Sequence, residues 1–167
     1  MPLIYNQDKT DLIGCIIGKK DNRFFPNPVK PGNILINLPS ISPHTNGFSL
    51  INKVVNENTD KEIIKTFLKP HKSYLKEVSS FIEIYGYDKL NAMCHITGGG
   101  FHGNMKRILP KNIEIDLYDI ELPKWCHYLI EKGISKDEMM EVFNCGIGYV
   151  LIADSSIAVS YTHLRAH

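Results

Sequence analysis

Short apolar runs alternate with polar, glycine-marked turns along most of the chain, and this pattern predicts a succession of strands and helices. The strand candidates are rich in isoleucine and valine or alternate with polar residues, and Asn-Pro, Pro-Gly or glycine turns bound several of them. The runs that predict strands are 12–18, 33–38, 92–96, 113–117 and 146–153.

Apolar residues that recur three and four positions apart predict amphipathic helices between these strands. Start and stop signals accompany several of them: Gly86 is placed to end a helix, Pro123 to begin one, and Ser135 with Glu138 forms a capping box. The predicted helices are a first after Gly47, a second at 63–68 ended by Pro70, a third at 74–85, a fourth at 104–109 stopped by Pro110, and two that begin at Pro123 and Ser135.

The order of these elements predicts a layered α/β (α+β) domain with a mixed β-sheet flanked by helices. A chain of 167 residues with 43% apolar residues is long enough to close one hydrophobic core. Residues 155–167 show neither a helical nor a strand period, so we expect the domain to occupy 1–154 and the remainder to be a non-native or disordered tail.

Charge and cysteine usage exclude several classes of function. The formal net charge is +1 and the basic residues are dispersed among acidic ones, so we expect no nucleic-acid partner. Four separated cysteines without a CxxC pair argue against structural zinc and a disulfide framework, which favours a reducing cytoplasm. The apolar run at 12–17 is too short to span a membrane, so no membrane association is predicted.

The polar turn at 40–47 follows a predicted strand and opens a predicted helix. Backbone amides at such a junction favour an anion, which indicates a phosphate-bearing ligand. His44 is the catalytic candidate, because an imidazole there could donate to a phosphoryl oxygen or act as a general acid, although a surface histidine in a capping loop fits equally well. Ser42, Thr45 and Asn46 are candidates for orienting substrate oxygens, and such residues also cap helices.

The second polar turn, 95–104, contains three consecutive glycines. Glycine is favoured where φ is positive or where a ligand approaches the backbone closely, so this turn is also a phosphate-binding candidate. A plain tight connection is the alternative. The candidate phosphate-binding residues of this turn are Thr97, Gly98, Gly99, Gly100 and Asn104.

No metal site is predicted from the sequence. Cys94, His95 and His102 lie close together, but their spacing matches neither a zinc finger nor a helical HExxH pattern, and His95 is expected to be a core histidine. Asn144 lies in another glycine-marked turn, where it either reaches a neighbouring site or makes a local Asx turn.

Four segments in this order resemble the aminoimidazole ribonucleotide synthetase family, also called phosphoribosylformylglycinamidine cyclo-ligases. The segments are PGNILI at 31–36, PHTNGFSL at 43–50, HITGGGF at 95–101 and FNCGIG at 143–148. The resemblance runs from Met1 to about Ala153 and covers the C-terminal half of such enzymes. It implies the fold of that C-terminal domain, lacking its last strands.

The resemblance also implies a reaction and its partners. ATP would phosphorylate the formyl amide oxygen of formylglycinamidine ribonucleotide, and an internal nitrogen would displace phosphate to close an imidazole ring. ATP and magnesium would be bound mainly by the family's N-terminal domain, which would complete the active site, and the complete protein would be a homodimer. In this family the histidine of the first turn corresponds to His44 and the threonine-glycine loop to 97–100, with Asn104 beside it.

Three positions depart from the family pattern: Ile41 replaces a small glycine, His71 a threonine, and Gly103 an acidic residue. We expect the isolated chain to be inactive, because the enclosing half of the active site would be missing. Two other functions remain open at this point. One is another ATP-dependent member of the superfamily, of the thiamine-phosphate kinase or selenophosphate synthase type, and the other is a non-catalytic assembly module.

Overall fold

A computed structural model describes residues 14–19, 21–115 and 120–157 of the chain. Within these residues three strands and six α-helices form. The strands are β1 (Ile34–Pro39), β2 (Leu90–His95) and β3 (Ile147–Ala153). The helices are α1 (Phe48–Val54), α2 (Lys61–Phe67), α3 (Leu75–Tyr85), α4 (Gly100–Met105), α5 (Lys124–Glu131) and α6 (Lys136–Val142).

The three strands form one sheet in the order β1-β3-β2, and β3 is antiparallel to both neighbours. The α/β class is confirmed, but every strand pairing within the described residues is antiparallel, so the sheet there is not mixed. Pro39 pairs with Ile147 at one end of β3, and His95 pairs with Tyr149. The carboxyl ends of β1 and β2 therefore lie at the same edge of the sheet as the start of β3.

The central strand is buried on both faces, which explains its continuous apolar sequence. Leu151 and Ala153 belong to the cluster that contains Phe81 of α3, whereas Val150 and Ile152 belong to the cluster that contains Phe101 of α4. Alternate side chains of a strand point to opposite faces, so α3 and α4 pack on opposite sides of the sheet. This is the layered arrangement that the sequence predicts.

Local residues set the start of α5, the start of α6 and the end of α3. Ser135 accepts a hydrogen bond from the Glu138 amide at the start of α6, Pro123 immediately precedes α5, and Gly86 ends α3 with φ of +86°. A third core cluster, centred on the buried Trp125, lies where α5 and α6 pack together. The three helix boundaries confirm the signals predicted from the sequence.

Three predicted elements differ from the structure. The fourth helix begins at Gly100 rather than Asn104, because Gly99 and Gly100 adopt left-handed conformations that turn the chain into the helix four residues earlier. Residues 113–115 form no strand, and the rest of that predicted strand lies outside the described residues. Residues 14–18 of the first predicted strand are exposed without regular structure, and 12–13 also lie outside the described residues.

The chain continues past β3 into a short 3-10 turn at Ser155–Ile157. Ile157 is buried in the cluster that contains Phe81. Residues 158–167 lie outside the described residues, and a non-native or disordered tail from 155 onward stays a prediction. In the parts of the chain that the structure describes, no helix is long and apolar enough to cross a membrane.

Candidate functional site

Three polar turns meet at one edge of the sheet. The first (40–47) follows β1, the second (96–100) follows β2, and the third (143–146) precedes β3. Because β3 is antiparallel to both neighbours, its start lies between the ends of the other two strands. The topology thus brings together motifs that are about fifty residues apart in the sequence.

Asn144 joins the third turn to the first. Its side chain is buried and donates from Nδ2 to the Ser42 carbonyl at 3.0 Å and to Ser40 Oγ at 3.2 Å. Its Oδ1 accepts from the amide of Gly146, which is the Asx turn considered from the sequence. Both readings of Asn144 are therefore correct: it makes a local turn and also reaches the neighbouring candidate site.

His44 is 3% exposed and has a φ of +58°, so it is held inside the first turn in a left-handed conformation. Its Nε2 lies 3.0 Å from Ser40 Oγ, and the proton of that hydroxyl is already donated to the Ser42 carbonyl at 2.5 Å. The Tyr74 hydroxyl lies 3.4 Å from the same Nε2 and likewise donates to a carbonyl, that of Pro39, at 3.3 Å. We therefore assign the imidazole proton to Nε2, with Ser40 Oγ as its acceptor. Nδ1 is then an unprotonated nitrogen, and it is buried without a hydrogen-bond partner among the described residues.

Burial, followed by the neighbouring imidazoles of His71 and His95, lowers the pKa of His44 to about 4. The imidazole is therefore neutral at pH 7. In this form its unprotonated Nδ1 can accept a proton or a metal ion. The catalytic role of His44, as a donor to a phosphoryl oxygen or a general acid, stays a prediction.

Two further histidines surround His44. The ring of His71 stacks on that of His44, with centroids 3.8 Å apart and planes 21° apart. The Nε2 atoms of His71 and His95 lie 2.8 Å apart. One ring nitrogen from each of the three residues falls within a group whose members are all within 4.8 Å of one another.

Sequence reasoning missed this histidine cluster. It treated His95 as a core residue and His71 only as a departure from a family pattern, whereas Cys94 and His102 do not belong to the cluster. The three histidines lie in a turn after β1, in the loop before α3 and at the end of β2. No sequence spacing links these places, because the pairing of β1 and β2 with β3 and the path of the loop before α3 bring them together.

Gly148 in β3 makes room for the cluster. A Cβ at this position would lie 1.8 Å from Tyr74 Oη and 2.7 Å from His44 Cε1. Glycine within a strand can mark such a close approach. Beside the cluster, a groove of about 370 Å³ is lined by a largely apolar set that includes His71, Tyr74, Met93, His95 and Tyr149.

Asn104 holds the glycine loop from inside. It is 3% exposed, and its Nδ2 donates to the carbonyls of Thr97, Gly98 and Gly100. Its Oδ1 accepts from the Thr97 hydroxyl at 3.1 Å. The structure therefore gives Asn104 and Thr97 the role of positioning the loop, while direct contact of either with a substrate stays a prediction.

The exposed part of the loop consists of Gly98 and Gly99, whose amides have no hydrogen-bond acceptor among the described residues. Asn46 Oδ1 would be only 3.4 Å from a Cβ at Gly98, so the first turn and the glycine loop are in contact. Arg107, which sequence analysis did not single out, places an NH2 group 4.0 Å from the corresponding position at Gly99. The Arg107 guanidinium therefore lies near the two glycines whose amides are free among the described residues.

Of the remaining candidate substrate-binding residues, two are buried and one is exposed. Ser42 is fully buried and its Oγ accepts from the His44 amide, which shapes the first turn. Gly100 is also buried, against the carbonyl of Met140. Thr45 is exposed beside His44, where its hydroxyl remains accessible.

Most of the chain is similar in sequence to known proteins. Residues 30–158 match the family described as AIR synthase related protein, C-terminal domain. The chain is 36% identical over 167 residues to the phosphoribosylformylglycinamidine cyclo-ligase of Staphylococcus saprophyticus, an alignment that covers 92% of this chain and 48% of that protein.

Similar relationships hold for proteins of the same name in other bacteria. The Clostridium kluyveri protein is 34% identical over 166 residues, covering 95% of this chain and 49% of its own length. The Alkaliphilus oremlandii protein is 36% identical over 168 residues, covering 91% of this chain and 48% of its own length. The chain thus spans about half the length of these curated relatives, and through residues 30–158 it belongs to the family of AIR synthase related proteins.

Proposed function

We propose that this chain forms the substrate-binding half of a phosphoribosylformylglycinamidine cyclo-ligase, an ATP-dependent ligase of cytoplasmic purine biosynthesis. The observation that carries the proposal is the exposed Gly98-Gly99 loop, which presents two free amides beside Asn46 and Arg107. The name of the relatives indicates the reaction, and the loop gives a physical reason for a phosphorylated substrate.

The loop suits the phosphate of a ribonucleotide. Backbone amides arranged in a concave turn bind anions, and a guanidinium adds charge and a planar set of donors. Asn104 fixes the loop through three hydrogen bonds to its carbonyls, so the amides need little reordering when a phosphate arrives. α4 is only six residues long, so this proposal rests on the loop and Arg107 and not on a helix dipole.

His44 is the proposed catalytic residue for ring closure. In the reaction proposed for the whole enzyme, ATP converts the formyl oxygen of formylglycinamidine ribonucleotide into a phosphate leaving group. The internal nitrogen then forms the new C–N bond, the C–O bond to phosphate breaks, and the attacking nitrogen loses a proton. The free Nδ1 of His44 is the acceptor that this chain offers for that proton.

We propose that ATP and magnesium bind to another part of the enzyme. Magnesium prefers carboxylate and phosphate oxygens, and the segments 40–47, 95–104 and 143–148 contain no aspartate or glutamate. The three turns therefore do not suit a magnesium ion. We propose that an N-terminal domain of the same enzyme binds both and docks at this edge of the sheet, and that the complete enzyme is a homodimer.

Calorimetric titration with formylglycinamidine ribonucleotide tests the phosphate site. We expect binding that is lost with the corresponding ribonucleoside. Arg107→Gln should weaken binding by about 10–150-fold, because one charge-assisted contact contributes about 1.5–3 kcal/mol. Arg23→Gln is the matched control, since that arginine pairs with Asp21 away from the loop. Equal binding of ribonucleotide and ribonucleoside, or binding of neither, would contradict the proposal.

Reconstitution tests the catalytic part separately. Turnover should appear when the N-terminal half of a relative is added to this chain, and the chain alone should show none. His44→Gln should lower kcat more than it changes substrate affinity, because it removes the Nδ1 acceptor. Binding without reconstituted turnover would support the third function considered above, a non-catalytic module.

A further inference from the structure

We propose that His44, His71 and His95 form a binding site for a divalent transition-metal ion of the zinc type. This site goes beyond the proposed cyclo-ligase function and involves His71, which takes no part in that function. The three imidazoles come from three separate segments, and one ring nitrogen of each lies within 4.8 Å of the others.

The spacing of the nitrogens is close to that of a metal's ligands. In a tetrahedral zinc site the Zn–N distance is about 2.0–2.1 Å, which places two ligating nitrogens about 3.3–3.4 Å apart. The Nε2 atoms of His71 and His95 are 2.8 Å apart. An opening of about half an ångström between them would meet the zinc geometry.

His44 has the tautomer that a ligand needs. Its Nε2 proton is held by Ser40 Oγ, which leaves Nδ1 unprotonated, buried and without a partner among the described residues. A ligating histidine characteristically donates its other ring N–H to a fixed acceptor, which sets the tautomer and ring orientation. Ser40, itself held by Asn144, supplies that acceptor.

His71 is the member of the cluster whose ring must reorient to bind an ion. It is exposed and stacks face to face on His44, so its ring must turn out of the stack before its lone pair and that of His44 can meet at one ion. Because the side chain faces solvent, this rotation needs no repacking of the core. Solvent access on the same side leaves a fourth coordination position for water.

The donor set selects the class of ion. Three imidazoles suit zinc, nickel, cobalt or copper, whereas magnesium and calcium require oxygen ligands. Cys94 precedes His95 in β2, but its Sγ does not belong to the group of mutually close ligand atoms, so the donor set is three imidazoles.

Metal titration of the full chain tests the proposal. After treatment with a chelator, the protein should bind one equivalent of Zn²⁺ in competition with a chromophoric chelator. Co²⁺ should give a ligand-field spectrum of nitrogen and oxygen donors without a thiolate charge-transfer band. Loss of an outer hydrogen-bond partner already lowers metal affinity by about 10–100-fold, so His71→Thr, which removes a direct ligand at an exposed position, should lower Zn²⁺ affinity by at least about tenfold.

Two controls separate this site from other donors. His127→Ala removes an exposed histidine of α5, and a double substitution of His163 and His167 to alanine removes the two histidines nearest the C-terminus. Neither change should alter the Zn²⁺ affinity. The proposal fails if the parent chain binds no zinc, if His71→Thr changes the affinity by less than tenfold, or if either control removes the binding.

Discussion

Asn144 donates from Nδ2 to the carbonyl oxygen of Ser42 at 3.0 Å across 102 positions of sequence. This contact connects the turn that enters β3 with the turn that leaves β1. The same Nδ2 reaches Ser40 Oγ, which in turn fixes the tautomer of His44. A single buried amide therefore couples the shape of the sheet edge to the chemistry of the site.

Substitution of Asn144 by leucine should destabilise the fold and the site together. Leucine is similar in size but leaves the Ser42 carbonyl without this donor, so we expect the free energy of unfolding to fall by about 1–3 kcal/mol. Urea denaturation followed by the fluorescence of Trp125, the only tryptophan of the chain, measures this change. Asn52→Leu is the control, because Asn52 is exposed on α1 and a surface change should stay within about 0.5 kcal/mol.

Two glycines of α4 should respond to alanine in opposite ways. At Gly100, φ is +62° and a Cβ would lie 1.8 Å from the Met140 carbonyl, so Gly100→Ala should destabilise the protein by about 1–3 kcal/mol or more. At Gly103, nothing lies within 4 Å of an added Cβ, and Gly103→Ala should stabilise the helix by about 0.5–1 kcal/mol.

Thermal unfolding followed by circular dichroism distinguishes the two alanine variants by the sign of the change in Tm. Equal effects of both substitutions would show that the close packing of Gly100 against α6 does not occur in solution.

Local signals explain which parts of this structure were predictable from sequence. The capping of α6 by Ser135, the ends of α3 and the three strands depend on neighbouring residues, so their patterns are visible in the sequence. The sequence pattern places the start of α4 four residues too late, because the left-handed conformations of Gly99 and Gly100 turn the chain into the helix before Asn104.

Tertiary pairing explains what the sequence did not reveal. His71 and His95 meet at 2.8 Å only because the loop before α3 passes the end of β2. Arg107 follows α4 and donates from an NH1 group to Asn104 Oδ1 at 3.3 Å, and no sequence motif indicates this contact. By contrast, the glycines of 98–100 indicated the loop itself, because their conformational freedom is a local property.

The four cysteines should differ sharply in reactivity. Cys15 is exposed, whereas Cys126 and Cys145 are 0% and 2% exposed and burial raises the pKa of the Cys94 thiol. The thiolate is the reactive form, so one thiol should react rapidly with a disulfide reagent in the native protein and three only after unfolding. Stopped-flow absorbance measures the phases. Cys15→Ser should abolish the fast phase, and a second fast thiol would contradict the burial of the other three.

Zinc should inhibit turnover, because the metal-site proposal and the catalytic proposal both use Nδ1 of His44. We expect Zn²⁺ to lower the turnover of the reconstituted enzyme, and removal of the ion by a chelator to restore it. His71→Thr should retain turnover and lose sensitivity to zinc, since His71 is a proposed ligand of the metal and not of the substrate. Steady-state rates of parent and variant across a zinc titration test this. Equal inhibition of the parent and His71→Thr at the same zinc concentration would show that zinc acts at another site. That result would contradict the metal-site proposal and leave the phosphate-binding proposal unaffected.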